Sequence, residues 1–233
     1  MLNSSSQHVI EPRPGGAYRG VVVPYITSWS SEQPARRKVI VRPLSGIGFL
    51  DEVPADRDEH GVLWRRVSSS PGVGLPEFGS IHSPRQREAM RDLLCQVCGG
   101  PADQNAEGTL WLLQDHRTDW PGWPHRMGVT EPPVCLPCAQ AARRHCPALR
   151  REGHVALRVS GCPVSGITGA LYRAGTVYPT ATNTGRIVMV AFDDPAVRWI
   201  QAAHLVREIT RCTIVDLDNQ QPSAEKGGET EDT

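Results

Sequence analysis

The sequence predicts an α+β protein in three parts: a β-rich N-terminal region, a central module organised by four cysteines, and a small α/β C-terminal part. Three observations carry this reading. The first third consists of short apolar runs broken by Gly and Pro, of which the chain has 22 and 20, the pattern of strands and turns. Two Cys-x-x-Cys pairs bracket the middle. Alternating and continuous apolar runs, with one helix-cap signal among them, fill the last third.

A chain of 233 residues allows one or two domains. Lys+Arg and Asp+Glu are equal at 25 each, so the net charge is zero. That argues against a protein whose whole surface coats nucleic acid or an anionic membrane, and leaves room for a local basic patch. No apolar run of about 18 residues exists to cross a membrane. Residues 1–15 lack the basic-then-apolar order of a secretory signal. A cytoplasmic location with no membrane partner is therefore expected. In that compartment seven cysteines suit metal binding better than a disulfide framework.

Along the chain, residues 1–15 are Ser-rich, end in Pro and Gly, and are expected to be disordered. Residues 16–80 form the β-rich region, with strands expected at 19–26, 38–41, 47–50 and 62–67 and a closing loop at 68–79. Its acidic residues Asp51, Glu52, Asp56, Asp58 and Glu59 read as a solvated loop, since no ligand spacing connects them. The module of residues 83–152 opens with a helix: Ser83 is the expected N-cap, Pro84 the first helical residue, and Gln86 the partner in a capping box. Ala89, Leu93 and Leu94 share one face and lead into Cys95. In residues 153–217, strands are expected at 154–159, 170–172, 186–192 and 212–217. Asp194 is expected to cap a helix from Pro195, with Ala196, Trp199, Ala203 and Val206 at helical spacing. Gly166-Ile167-Thr168-Gly169 reads as a tight turn. Residues 218–233 are polar and acidic and are expected to be disordered.

The cysteine pairs are Cys95-Gln96-Val97-Cys98 and Cys135-Leu136-Pro137-Cys138. Two intervening residues let a tight turn aim both sulfurs at one ion, and two such pairs supply the four thiolates of a tetrahedral Zn²⁺ site. Gly99 and Gly100 free the backbone to fold around the first pair. The segment after the second pair, 139–144, has high helix propensity, so Cys135 and Cys138 are placed at a helix N-terminus, where the dipole favours thiolate. A turn bearing one pair and a helix start bearing the other is the layout of a treble clef. Four thiolates also accept iron. Cys146, Cys162 and Cys212 read as small buried hydrophobes.

Asp115-His116 lies 17 residues after Cys98 and 19 before Cys135. With the flanking pairs, this spacing resembles the HNH endonuclease family. The resemblance implies that 110–113 is the first strand of a ββα hairpin, that His116 is the general base, and that Asp115 holds a catalytic Mg²⁺ or Mn²⁺ while zinc is purely structural. The chain departs from the family pattern at residues 130–134, where Asn-Leu is usual, and at Ala139, where His or Asn is usual. The blocks 85–102 and 132–150 are also similar to zinc-binding proteins of high-GC actinobacteria and their mobile elements, a likeness that implies metal and no particular chemistry.

Arg143, Arg144, Arg150 and Arg151 follow the second pair, and Arg85, Arg87 and Arg91 precede the first. Together they form a candidate basic face for nucleic acid. The segment Trp120-Pro121-Gly122-Trp123-Pro124 is either a second binding surface or a cover over the metal hairpin. The expected role is a zinc-stabilised adaptor whose partner is nucleic acid or another protein, with a divergent HNH nuclease as the alternative.

Overall fold

The computed structural model describes residues 16–175, 178–182 and 188–221, so the segment 1–15 and most of the acidic tail, 222–233, lie outside the described residues. The N-terminal region is a set of small two-stranded pieces. Strands β1 (Ala17–Tyr18) and β2 (Val21–Val22) form a tight hairpin; Pro24 follows, so the longer strand expected at 19–26 does not form. Strand β3 (Thr27–Trp29) awaits a partner farther along. Strands β4 (Val39–Arg42) and β5 (Gly46–Phe49) pair antiparallel, and β6 (Leu63–Trp64) leaves this region to join the main body. The expected loop at 68–79 ends early, because β7 (Pro76–Ile81) pairs with β3.

The N-cap of helix α1 (Ser83–Asp92) lies one residue earlier than the capping box implied. His82 is the N-cap, and its Nδ1 accepts from the Arg85 backbone N–H. Ser83 instead accepts from Arg65 at 2.5 Å. The Gln86 side chain is buried, donating to the carbonyls of Thr130 and Leu205 and accepting from the Leu205 N–H. The local pattern mimicked a capping box, but a buried amide with three long-range bonds ties the helix to the sheet behind it.

Next come β8 (Gln104–Asn105), β9 (Gly108–Gln114), β10 (Met127–Val129), α2 (Leu136–His145), α3 (Pro147–Glu152), β11 (His154–Gly161), β12 (Val164–Arg173), β13 (Thr180–Ala181), β14 (Val188–Ala191), β15 (Ile200–Ile209) and β16 (Arg211–Val215). One sheet has the order β16-β11-β9-β8. The other has β15 between β10 and β12, with β13 and β14 on β12 and β6 added parallel to β15.

The two sheets share a core. Trp111, Leu113, Val155, Leu157 and Val159 from β9 and β11 pack with Ile167, Val190, Ile200, Ala202, Leu205 and Ile209 from β12, β14 and β15. Successive strand residues point to opposite faces, so Leu110, Leu112 and Ala156 face the other way, into a second core containing Cys95, Cys138, Leu136 and Ala139. The unbroken run Leu110-Trp111-Leu112-Leu113 is thereby explained: β9 is buried on both faces.

Two expectations for the last third fail. Asp194 does cap a turn, accepting from the Ala196 N–H, but only the 3-10 turn Pro195–Trp199 follows, and residues 200–209 are the long strand β15. The helical spacing of Ala196, Trp199, Ala203 and Val206 arose because β15 is buried on both faces and slips register at residue 203, which erases a clean period of two. Gly166-Ile167-Thr168-Gly169 lies inside β12. A Cβ on Gly166 would meet the Val190 carbonyl at 2.4 Å, and one on Gly169 the Gln201 carbonyl at 2.1 Å. These glycines permit close backbone approach within the sheet.

The acidic loop is solvated only in part: Asp51 and Glu59 are exposed, whereas Glu52 and Asp58 are half-buried and Asp56 is buried. Asp56 is buried against Arg66, Glu52 pairs with Arg57 at 2.7 Å, and Asp51 takes both Arg37 and Arg66 at 3.0 Å. Among the described residues no helix is long and apolar enough to cross a membrane.

Candidate metal centre

The first pair sits in a turn set by two left-handed residues. Leu93 (φ 53°) terminates α1. Two residues on, the Cys95 N–H bonds the Gly100 carbonyl at 2.7 Å and the Gly99 N–H bonds the Cys95 carbonyl at 2.8 Å. Gly99 has φ +70°, and a Cβ there would meet the Tyr25 ring at 2.9 Å. Tyr25 lies across this turn: its N–H bonds the Val97 carbonyl and its hydroxyl donates to Glu88 at 2.5 Å. Glycine is needed at residue 99 for backbone shape and for that contact.

The second pair is carried by α2. Cys135 is its N-cap in extended conformation, with Pro137 in the first turn. The segment leading to it is stitched to both neighbours. The Gln96 N–H bonds the Pro133 carbonyl at 3.0 Å, the Val134 N–H bonds Leu110, and the Asp103 N–H bonds Val134. Thus β9, the turn and the helix start are fixed relative to one another by backbone bonds.

The result is that the sulfurs of Cys95, Cys98, Cys135 and Cys138 all lie within 4.8 Å of one another, and the Cys98 and Cys135 sulfurs are 3.9 Å apart. Four thiolates at about 2.3 Å from a tetrahedral ion would be spaced by about 3.8 Å. The cluster therefore fits one metal ion. Cys95 and Cys138 are buried and the other two half-buried. Cys98 is pulled well below the ordinary thiol range, first by Cys135 and then by Cys138 and Cys95, with the Gly100 N–H adding to the effect. Cys138 is pushed up, chiefly by its contact with Cys135. Crowded thiols that cannot all ionise side by side are what a bound cation relieves. Cys146, Cys162 and Cys212 lie outside the cluster and are half-buried rather than buried.

Asp115 and His116 stand at the end of β9. Both oxygens of Asp115 are taken by Arg117, at 2.8 and 2.6 Å, and the Arg117 side chain and N–H hold its carboxyl down at about 2. His116 Nδ1 faces Asp119 at 2.9 Å. The ββα hairpin implied by the HNH resemblance does not form. Strand β9 pairs with β8 and β11, whereas β10 pairs with β15 in the other sheet.

The single basic face expected from both helices does not form either. Arg85 is buried, bonding both oxygens of Glu32 at 2.7 Å. Arg87 stacks over the Trp64 ring at 4.4 Å, and Arg91 pairs with its neighbour Asp92. On α2 and α3, Arg143 pairs with Asp218 and Arg151 with Glu152, while Arg144 and Arg150 are exposed. Trp123 packs against the inter-sheet core rather than over the metal turn, and Trp120 stays 39% exposed.

Tyr25, Leu217 and Asp218 were not singled out by sequence. Leu217 is buried in the cysteine-bearing core, and it is the last aliphatic residue before an acidic stretch, a usable signal. Tyr25 reaches the turn from 70 residues away and carries no local sign. No protein-family model matches the chain, nor does any curated protein or solved structure; the HNH and actinobacterial likenesses rest on the cysteine blocks and the Asp115-His116 spacing alone.

Proposed function

We propose that Cys95, Cys98, Cys135 and Cys138 hold one structural Zn²⁺ in a treble-clef module, and that the protein is an adaptor that binds nucleic acid through the arginines of α2 and α3. One observation carries this reading: the helix that carries Arg143 and Arg144 has Cys135, a member of the four-cysteine cluster, as its N-cap. The ion would fix the orientation of α2. Leu136 and Ala139 bury against β9 and β11, and the basic residues gather in the last turn. Zinc supplies no chemistry here beyond holding the turn and helix together.

Binding of a labelled DNA duplex at increasing salt tests the proposal. Three or four phosphate contacts should give a log–log slope of roughly −3. Arg144→Ala with Arg150→Ala should reduce its magnitude by about two. No binding at low salt by folded, zinc-loaded protein would sink the nucleic-acid reading and leave a protein partner. The nuclease alternative is disfavoured by the Arg117 clamp on Asp115 and by Ala139. Mg²⁺- or Mn²⁺-dependent cleavage that is lost in His116→Ala would restore it.

A further inference from the structure

We infer that the cavity between residues 122–125 and the β15–β16 turn binds one nucleotide whose base carries an amine. Trp123 and Pro124 take the base, His125 its amine and Arg211 its phosphate. The cavity measures about 310 Å³ and is lined by these four residues together with Thr210 and Cys212, among others. That is the lower end of the range for small-molecule sites, roughly 300–1,000 Å³, so it suits a single nucleotide. Its walls are tied together by hydrogen bonds. The Arg126 N–H bonds the Ile209 carbonyl at 2.7 Å, and the Met127 N–H bonds the Pro124 carbonyl at 3.0 Å. No α2 or α3 residue lines it, so the site does not depend on the proposed role of their arginines.

The ligand class follows from the groups on offer. A carbonyl only accepts, so His125 Nδ1, 3.1 Å from the Thr210 carbonyl, carries the ring proton and donates it. Nε2 of the neutral ring is then an acceptor. His125 is exposed, and Nε2 has no partner among the described residues, so it matches an N–H donor such as an exocyclic amine. Arg211 is also exposed and makes no ion pair among the described residues, while the nearby Arg126 and Glu208 pair with each other at 3.1 Å. One cation therefore stands uncompensated at the cavity, suited to a phosphate. Trp123 and Pro124 add a flat apolar wall on which a base stacks. A bare anion would leave the wall and the acceptor unused, and an apolar chain would leave the acceptor and the cation unused. An amine-bearing nucleotide uses all three.

The test is an NMR titration of the full, zinc-loaded chain with adenosine 5′-monophosphate, read at the amide signals of 122–125 and 209–212. Both stretches should shift together and saturate. Inosine 5′-monophosphate, which has a carbonyl in place of the amine, should bind about fivefold more weakly. Two exposed positions give variants that leave the fold alone. Arg211→Gln should weaken the adenosine nucleotide about threefold. His125→Ala should abolish the preference for it over the inosine nucleotide, which loss of a merely structural residue would not do. An oligo-dA strand separates the two sources of this ligand: tighter binding than the mononucleotide points to an exposed nucleotide of a strand, equal or weaker binding to a free nucleotide. Absence of shifts in the two stretches, equal shifts with inorganic phosphate alone, or an unchanged preference in His125→Ala overturns the inference. Binding of the mononucleotide by a chain that binds no duplex upholds the cavity and overturns the reading of the α2–α3 arginines instead.

Discussion

The N-terminal region and the cysteine module face the same problem and meet it differently. Neither has a large apolar core to itself: the one that holds the cysteines is small and is completed by Ala156 and Leu217 from the last third of the chain. The N-terminal pieces have a cluster of three buried residues, Ile47, Phe49 and Leu63, and are cross-linked by carboxylate–guanidinium pairs. At the best buried of these, Glu32 receives both terminal nitrogens of Arg85 and the N–H groups of Trp29 and Ser70. Its oxygens are thus fully engaged, the condition under which a buried charge is tolerated. The cysteine module gathers four thiols instead. One region is therefore sensitive to removal of a charge, the other to removal of an ion, and each can be broken while the other stands.

The largest effect is expected for Cys138→Ser. Structural zinc contributes on the order of 10 kcal/mol to folding of small modules, so residues 95–145 should lose hydrogen-exchange protection while β4 and β5 keep theirs. Simultaneous collapse of both regions would show that they are one cooperative unit. Glu32→Gln comes second: Arg85 would be left buried without its counter-charge, at a cost of roughly 3 kcal/mol in chemical denaturation, with metal content unchanged.

Acid provides the third test. Burial alone would raise the Glu32 carboxyl, but Arg85 and the Ser70 and Trp29 N–H groups outweigh it and hold the group at about 2. A depressed carboxylate contributes stability above its ordinary 4.5, and that contribution is lost as pH falls from there through about 2. His204 acts earlier. Burial and Arg65 depress it to about 4, so the unfolded chain takes up the proton first, and stability falls between 6.5 and about 4. The metal-saturated protein should lose stability in both windows, and Glu32→Gln should flatten only the lower one. The smallest effect is expected for His116→Ala, within about 0.5 kcal/mol, because the residue is exposed and makes one surface pair.

Local signals in the sequence were reliable where local physics decides the outcome. The cysteine pairs, the α2 start and the Asp194 cap all depend on residues a few positions apart. What was hidden depends on burial on two faces. Strand β15 passed for a helix because apolar residues on both faces, with a register slip, leave no period of two. The acidic loop passed for wholly solvated because Arg66, the partner of its buried Asp56, lies 10 residues away. Gln86 passed for a capping residue because its true partner, Leu205, is 119 residues distant. Within the site, the four cysteines were legible, while Tyr25 and Asp218, which brace it from either end of the chain, were not.

The central claim is that one metal ion, zinc, holds the four cysteines. Metal analysis of purified protein, with thiols titrated in parallel, tests it most directly. The account predicts one zinc per chain, lost together with the protection of α2 when the cysteines are modified. Absence of bound metal in folded protein, with α2 equally protected, would contradict it.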